Sequence, residues 1–216
     1  MFPDRYDRSV FINCPYDPGY EPIKRAIIFA IVAHGFVPRS AVETRTVATP
    51  RMQRIAECVL SCRYSIHDLS RSRGEGQDNY ARFNMPLELG IVLGRNLFAR
   101  DENERNDWLV LVRGGDEYAR LVSDLAGFDP EAYDCTPDDV IPRVIGWLQT
   151  RPTAEPGGPT PHRVRQLLPH FTAAYEQLCV EWMSEVPWHA LVEAAALSAA
   201  PLLQSSVTAA AAGVVS

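Results

Sequence analysis

Positive charge is in short supply in this chain: 21 Lys and Arg stand against 27 Asp and Glu, for a net charge of -6. A surface that holds nucleic acid concentrates cations against phosphate, so no nucleic-acid partner is expected. Long apolar runs are also missing. A membrane span needs about eighteen or more apolar residues in a row. The nearest approach, "HALVEAAALSAAPLLQSSVTAAAAGVVS", is interrupted by Pro201, Gln204 and several hydroxyl residues, so no membrane partner is expected. The five cysteines (Cys14, Cys58, Cys62, Cys135 and Cys179) are odd in number and form no CxxC. They read as reduced thiols, and Cys58 and Cys62 as packed ones. The five histidines show no HExxH or related spacing, so no metal site is expected. The opening "MFPDRYDRS" carries charges of both signs and no apolar core, so no secretion signal is expected and the expected location is the cytoplasm. There is no P-loop. "GEG" at Gly74–Gly76 does not stand between a strand and a helix start, which argues against a dehydrogenase fingerprint.

What is present is alternation. "SVFINCPYD" begins as a buried strand and breaks into turn formers, and "YEPIKRAIIFAIVAHG" follows at helical spacing with Gly35 as its stop. "FVPRSAVE" reads as a second strand, irregular or at an edge because of Pro38. "TPRMQRIAECVLSC" reads as a helix with Thr49 as cap, Pro50 in its first position and a stripe of Met52, Ile55 and Val59. "RYSIHDLS" and "WLVLVRGG" read as the third and fourth strands. Helices are expected over "RFNMPLELGIVLG", "DEYARLVSDLAGFD" and "TPDDVIPRVIGWLQT". Strands alternating with helices predict a mostly parallel sheet covered on both faces, with ligands bound beyond the carboxyl ends of the strands. The polar segments at those ends are Asn13–Asp17, Ser40–Arg45, His67–Arg71 and Arg113–Asp116. "RPTAEPGGPTPH" reads as a linker. The expected division is thus an α/β domain over 1–150, a linker over 151–162, a helical appendage over 163–205 and a flexible tail over 206–216, with the appendage as a possible surface for self-association.

The helix "RFNMPLELGIVLG" raises the question of function, because it is apolar but for one carboxylate. With Leu87 at the centre of the buried face, Phe83, Gly90, Ile91 and Gly94 share its side, and the glycines suggest close approach to the sheet. Glu88 then lies about a quarter-turn away, at the border of that face. Asn84 and Arg95 share its side. Such an acid is either a solvated residue on the helix's first turn or a carboxylate partly desolvated and aimed into a cleft.

In their order, "VFINCPYD", "GFVPRSAVE", "RIAECVLSCRYSIHDLS" and "FNMPLELGIVLG" resemble the superfamily that joins TIR (Toll/interleukin-1 receptor) domains with nucleoside 2-deoxyribosyltransferases. The resemblance covers roughly residues 9–130, and more narrowly the sequence looks like bacterial TIR-like proteins. It implies a flavodoxin-like three-layer α/β sandwich, followed here by C-terminal helices. It also implies cleavage of the bond between a ribose and a base, with Glu88 in the position of the catalytic glutamate of an E-x-G motif. TIR enzymes commonly show Trp and Cys just before that glutamate, where this chain has Phe83, Asn84, Met85 and Pro86. The implied activity is that of an NAD glycohydrolase, with NAD as substrate and no separate cofactor. A deoxyribosyltransferase-like enzyme and a non-catalytic nucleotide-binding or assembly module are the alternatives. The partner expected is a nucleotide or nucleoside.

Asn13, Tyr16, Asp17, Asp68, Ser70 and Asn84 complete the candidate site. Asp68 reads either as a group that orients a ribose hydroxyl or as a turn aspartate bonded to its own backbone. Asn13 and Asp17 read as cleft residues or turn residues, and Tyr16 as a stacking surface for a base. His67, next to Asp68, points to the opposite face of its strand and reads as packed. Arg71 and Arg73 read as phosphate contacts or as a solvated loop.

Overall fold

The computed structural model describes residues 6–43, 48–71, 84–115, 128–183 and 185–212, with side chains of the last helix described as far as Leu203. Five strands form one sheet: β1 (Ser9–Asn13), β2 (Val37–Arg39), β3 (Tyr64–Asp68), β4 (Asp107–Arg113) and β5 (Glu131–Tyr133). All neighbours pair in parallel, in the order β2-β1-β3-β4-β5. This is the flavodoxin-like order of doubly wound folds. β1 and β3 are buried at every position, as strands covered on both faces must be. β5 was not expected from the sequence. With three residues it is too short to show a period. Residues 116–127 of the helix expected between β4 and β5 lie outside the described residues.

Helices α1 (Glu21–Ala33) and α4 (Pro137–Gln149) cover one face of the sheet, and α2 (Arg51–Leu60) and α3 (Asn84–Phe98) the other. α1 is buried from Ala26 to Ala33 without a break, the mark of a helix enclosed on all sides. The covering comes from the two C-terminal helices, α5 (Pro161–Trp182) and α6 (Trp188–Ala212), which pack on α1 and on each other. Phe171 of α5 stacks on Phe29 of α1 with ring centroids 5.4 Å apart. The Trp188 indole N–H donates to the carbonyl of Pro38 on β2 at 3.2 Å. The two helices therefore share one apolar cluster with the sheet. α5 starts inside the segment read as linker, with Thr160 as its cap, and α6 runs to Ala212, into the segment read as tail. No helix among the described residues is long and apolar enough to cross a membrane.

Three local expectations are corrected. α3 turns Met85, Glu88, Leu89 and Val92 inward, while Leu87 is 54% exposed. The buried face is centred about 150° from Leu87, because Met85 and Leu89 fill the space beside Leu69, Val110 and Val112. A Cβ on Gly90 or Gly94 would meet nothing within 4 Å, so neither glycine serves a close approach. α2 begins at Arg51, with Pro50 rather than Thr49 in the cap position and no side-chain cap, and Met52 stands outside the stripe of Ile55 and Val59.

Candidate active site

β1 leads into α1 on one face of the sheet, and β3, its neighbour, leads into α3 on the other. The chain therefore parts at the carboxyl ends of β1 and β3, leaving the crevice where doubly wound sheets hold ligands. The Asn13 side-chain N–H donates to the carbonyl of Met85 at 2.8 Å, fixing the start of α3 against the end of β1. On the other side, Asp17 pairs with Arg71 at 2.9 Å and tethers the loop after β1 to the loop after β3. Asp17 also accepts from the backbone N–H of Tyr20 at 3.0 Å.

Glu88 lies one turn along α3 from Met85 and is 6% exposed. Burial pushes its pKa up to about 7, and the Arg51 guanidinium at the start of α2 draws it back. The Glu88 charge is also felt by the Cys14 thiol and the Tyr16 phenol, which places the carboxylate toward the loop after β1. Burial raises both of those groups above their ordinary values. The Tyr16 hydroxyl shares a hydrogen bond of 2.6 Å with Ser40, beyond β2, and Lys24 lies 5.2 Å above its ring. Tyr16 as a whole residue is 39% exposed.

Asp68 answers to its own chain. Oδ2 accepts from the phenols of Tyr20 at 2.6 Å and Tyr133 at 2.5 Å, and Oδ1 accepts from the Ser70 backbone N–H at 2.8 Å. Of the two readings of Asp68, this is the backbone-bonded one, extended to α1 and β5. Burial raises its pKa despite those three donors. Ser70 is buried beside it, with the Tyr133 phenol 3.4 Å from its hydroxyl. Asn84 opens α3 and is exposed. Asn13, Tyr16 and Glu88 thus gather at the crevice, Asp17 braces it, and Asp68 and Ser70 form a buried hub beneath it. Arg73 lies outside the described residues. His67 faces away from Asp68, as its place on the strand requires, and packs against Phe11 and Asn13.

Sequence reasoning placed Cys14 and Ser40 only within polar segments at strand ends, and missed Arg51, Tyr20 and Tyr133. Cys14 and Ser40 come from the loops after β1 and β2, and Arg51 is the first residue of α2. The two tyrosines show as sequence only that each adjoins turn formers. Among the described residues no three His, Cys, Asp or Glu side chains stand together to hold a metal ion. No protein-family model, no curated protein and no solved structure matches the chain.

Proposed function

We propose that the chain is an N-glycosidase acting on a nucleotide, with NAD cleaved at the bond between nicotinamide and ribose. The observation that carries this reading is Glu88, the one acid of α3, turned to the buried face of that helix beside the crevice between β1 and β3. Burying a carboxylate is costly, and a site that develops positive charge is where it has a use. In NAD cleavage the bond between C1′ and the ring nitrogen breaks, and its electron pair leaves with the ring as neutral nicotinamide. The sugar becomes an oxocarbenium-like cation that Glu88 stabilises or captures. Water then adds to C1′ and gives up a proton.

The family likeness of "FNMPLELGIVLG" supports the same reading through its E-x-G spacing. Deoxyribosyl transfer is the second reading. It draws on the Glu88 pKa near 7, which leaves a share of neutral acid at neutral pH able to protonate a leaving base. Self-association through the last two helices belongs to the same proposal, supported by the exposure of Val180, Met183 and Leu197.

The test is base release from NAD and from deoxynucleosides, followed by chromatography, in the parent and in Glu88→Gln. The expected fall in turnover is at least about a hundredfold, or roughly 2.7 kcal/mol of barrier, with nucleotide binding changed far less. Undiminished base release by a folded Glu88→Gln protein would overturn the catalytic reading. Nucleotide binding without base release by the parent would favour a binding module.

A further inference from the structure

Asn13 and His67 are register partners on β1 and β3, the two strands that part at the crevice. Behind them runs a buried polar chain whose hydrogen-bond directions are fixed from its far end. The carbonyl of Cys62 can only accept, so the Asn106 side-chain N–H donates to it at 3.0 Å. Asn106 Oδ1 then accepts from the Ser65 hydroxyl at 2.6 Å. With its proton committed, Ser65 Oγ accepts from His67 Nε2–H at 2.9 Å. Burial holds the His67 imidazolium pKa down to about 3, so the ring is neutral and carries one N–H. That leaves Nδ1 as a bare acceptor, and it takes one N–H of the Asn13 amide at 3.0 Å. The other N–H goes to the Met85 carbonyl.

Both Asn13 donors are therefore committed, and the amide cannot turn over without setting its oxygen against the Met85 carbonyl and the bare His67 nitrogen. Asn13 is 1% exposed, and its Oδ1 has no hydrogen-bond partner among the described residues. A buried acceptor left unmatched calls for an explanation. Here it belongs to a side chain that also holds the helix turn leading to Glu88.

We propose that Asn13 Oδ1 is the specificity determinant of the crevice, an acceptor of fixed orientation that selects bases carrying an N–H donor, as the carboxamide of nicotinamide does. His67, Ser65 and Asn106 are positioning residues that keep the oxygen, rather than the N–H group, turned toward the ligand. This deepens the N-glycosidase reading and rests on it for the choice of ligand. The chemistry is asymmetric. A ligand that brings an N–H satisfies the oxygen, whereas one that brings a methyl group leaves it desolvated and unpaired.

Nicotinamide and 3-acetylpyridine differ in that respect alone, an amino group replaced by methyl beside the same carbonyl and ring. Their equilibrium binding to the full chain, read by ligand-detected NMR, tests the proposal. The parent is expected to prefer nicotinamide by at least about tenfold. Asn13→Ala should bring the ratio close to one. Ser65→Ala stands outside the crevice and covers the case in which Asn13→Ala fails to fold. It frees the His67 tautomer and with it the amide, so the ratio should fall several-fold. A purely structural role would weaken both ligands alike and leave the ratio unchanged. Equal binding of the two by the parent, no binding of nicotinamide, or an unchanged ratio in the folded variants would overturn the proposal. A ratio of one beside Glu88-dependent base release from NAD would remove this inference and leave the N-glycosidase reading in place. A preserved ratio without base release would do the reverse.

Discussion

Asp17 and Arg71 form an ion pair at 2.9 Å that joins the loop after β1 to the loop after β3, across the two faces of the sheet. Both side chains are largely buried, at 16% and 17% exposure, so the pair escapes much of the screening that makes surface pairs worth little. Arg71 also lies over the Tyr20 ring, 5.9 Å from its centroid. Removing the cation leaves Asp17 its bond from Tyr20 N–H and takes away this ion pair. Arg71→Ala is expected to cost about 1–2 kcal/mol. A double-mutant cycle with Asp17→Asn, read by denaturant unfolding, should return a coupling of about 1 kcal/mol. Coupling near zero would mean that the two loops are held together by other contacts.

The C-terminal helices complete the α1 side of the core. Phe171 is fully buried against Phe29, and Val164, Leu191, Val192 and Ala195 belong to the same cluster. Without α5 and α6, the side of α1 that holds Phe29 would meet water. Phe171→Ala is expected to destabilise by about 3–5 kcal/mol. A chain ended at residue 150 is expected to be insoluble, or to bind the hydrophobic dye used to detect exposed cores. A soluble truncated chain with a cooperative thermal transition would show that 1–150 is a unit that folds alone.

Leu87 and Leu89 separate the two possible faces of α3. Leu87 is 54% exposed and Leu89 is 1% exposed. Leu89→Ala should cost about 2–5 kcal/mol, whereas Leu87→Ala should stay below about 1 kcal/mol. Thermal or urea unfolding of the two variants decides it, and a reversal of the order would put Glu88 back at the border of the buried face.

The same helix shows where sequence reading works and where it stops. Val10–Ile12, "RYSIHD" and "WLVLV" announce their strands as short apolar runs, and their alternation with helices is enough to imply a parallel sheet. The phase of α3 is hidden because apolar residues surround it. Leu87, Leu97 and Phe98 are exposed while Met85, Leu89 and Val92 are buried, so no single stripe stands out. Glu88 stands out as the one acid of that helix, but whether it faces inward depends on that phase. The chain from Asn106 through Ser65 and His67 to Asn13 leaves no trace in sequence spacing. It exists because register sets Asn13 beside His67 and places Asn106 just before β4, and each member alone reads as an ordinary packed or turn residue.

The pH dependence of stability gives a measure of Glu88 that needs no substrate. Its pKa lies at about 7 in the folded chain against an ordinary 4.5, with burial as the first cause and Arg51 opposing it. A raised carboxyl pKa means that the folded chain keeps a proton the unfolded chain has already released. Stability from the neutral acid is therefore complete below pH 4.5, falls between 4.5 and about 7, and is level above that. At about 1.4 kcal/mol per pH unit, the interval amounts to about 3 kcal/mol. Glu88→Gln carries no charge to bury, so it should match the parent near pH 4.5 and exceed it by up to about 3 kcal/mol at pH 8. Buried Asp68, whose pKa is also raised, bends the stability curve of both proteins in the same direction. The difference between the two curves, taken from urea unfolding across pH, isolates Glu88. A variant that is more stable above neutrality yet releases no base would show a carboxylate kept at a cost in stability for its charge. A difference that does not change with pH would make Glu88 a solvated acid at the helix edge.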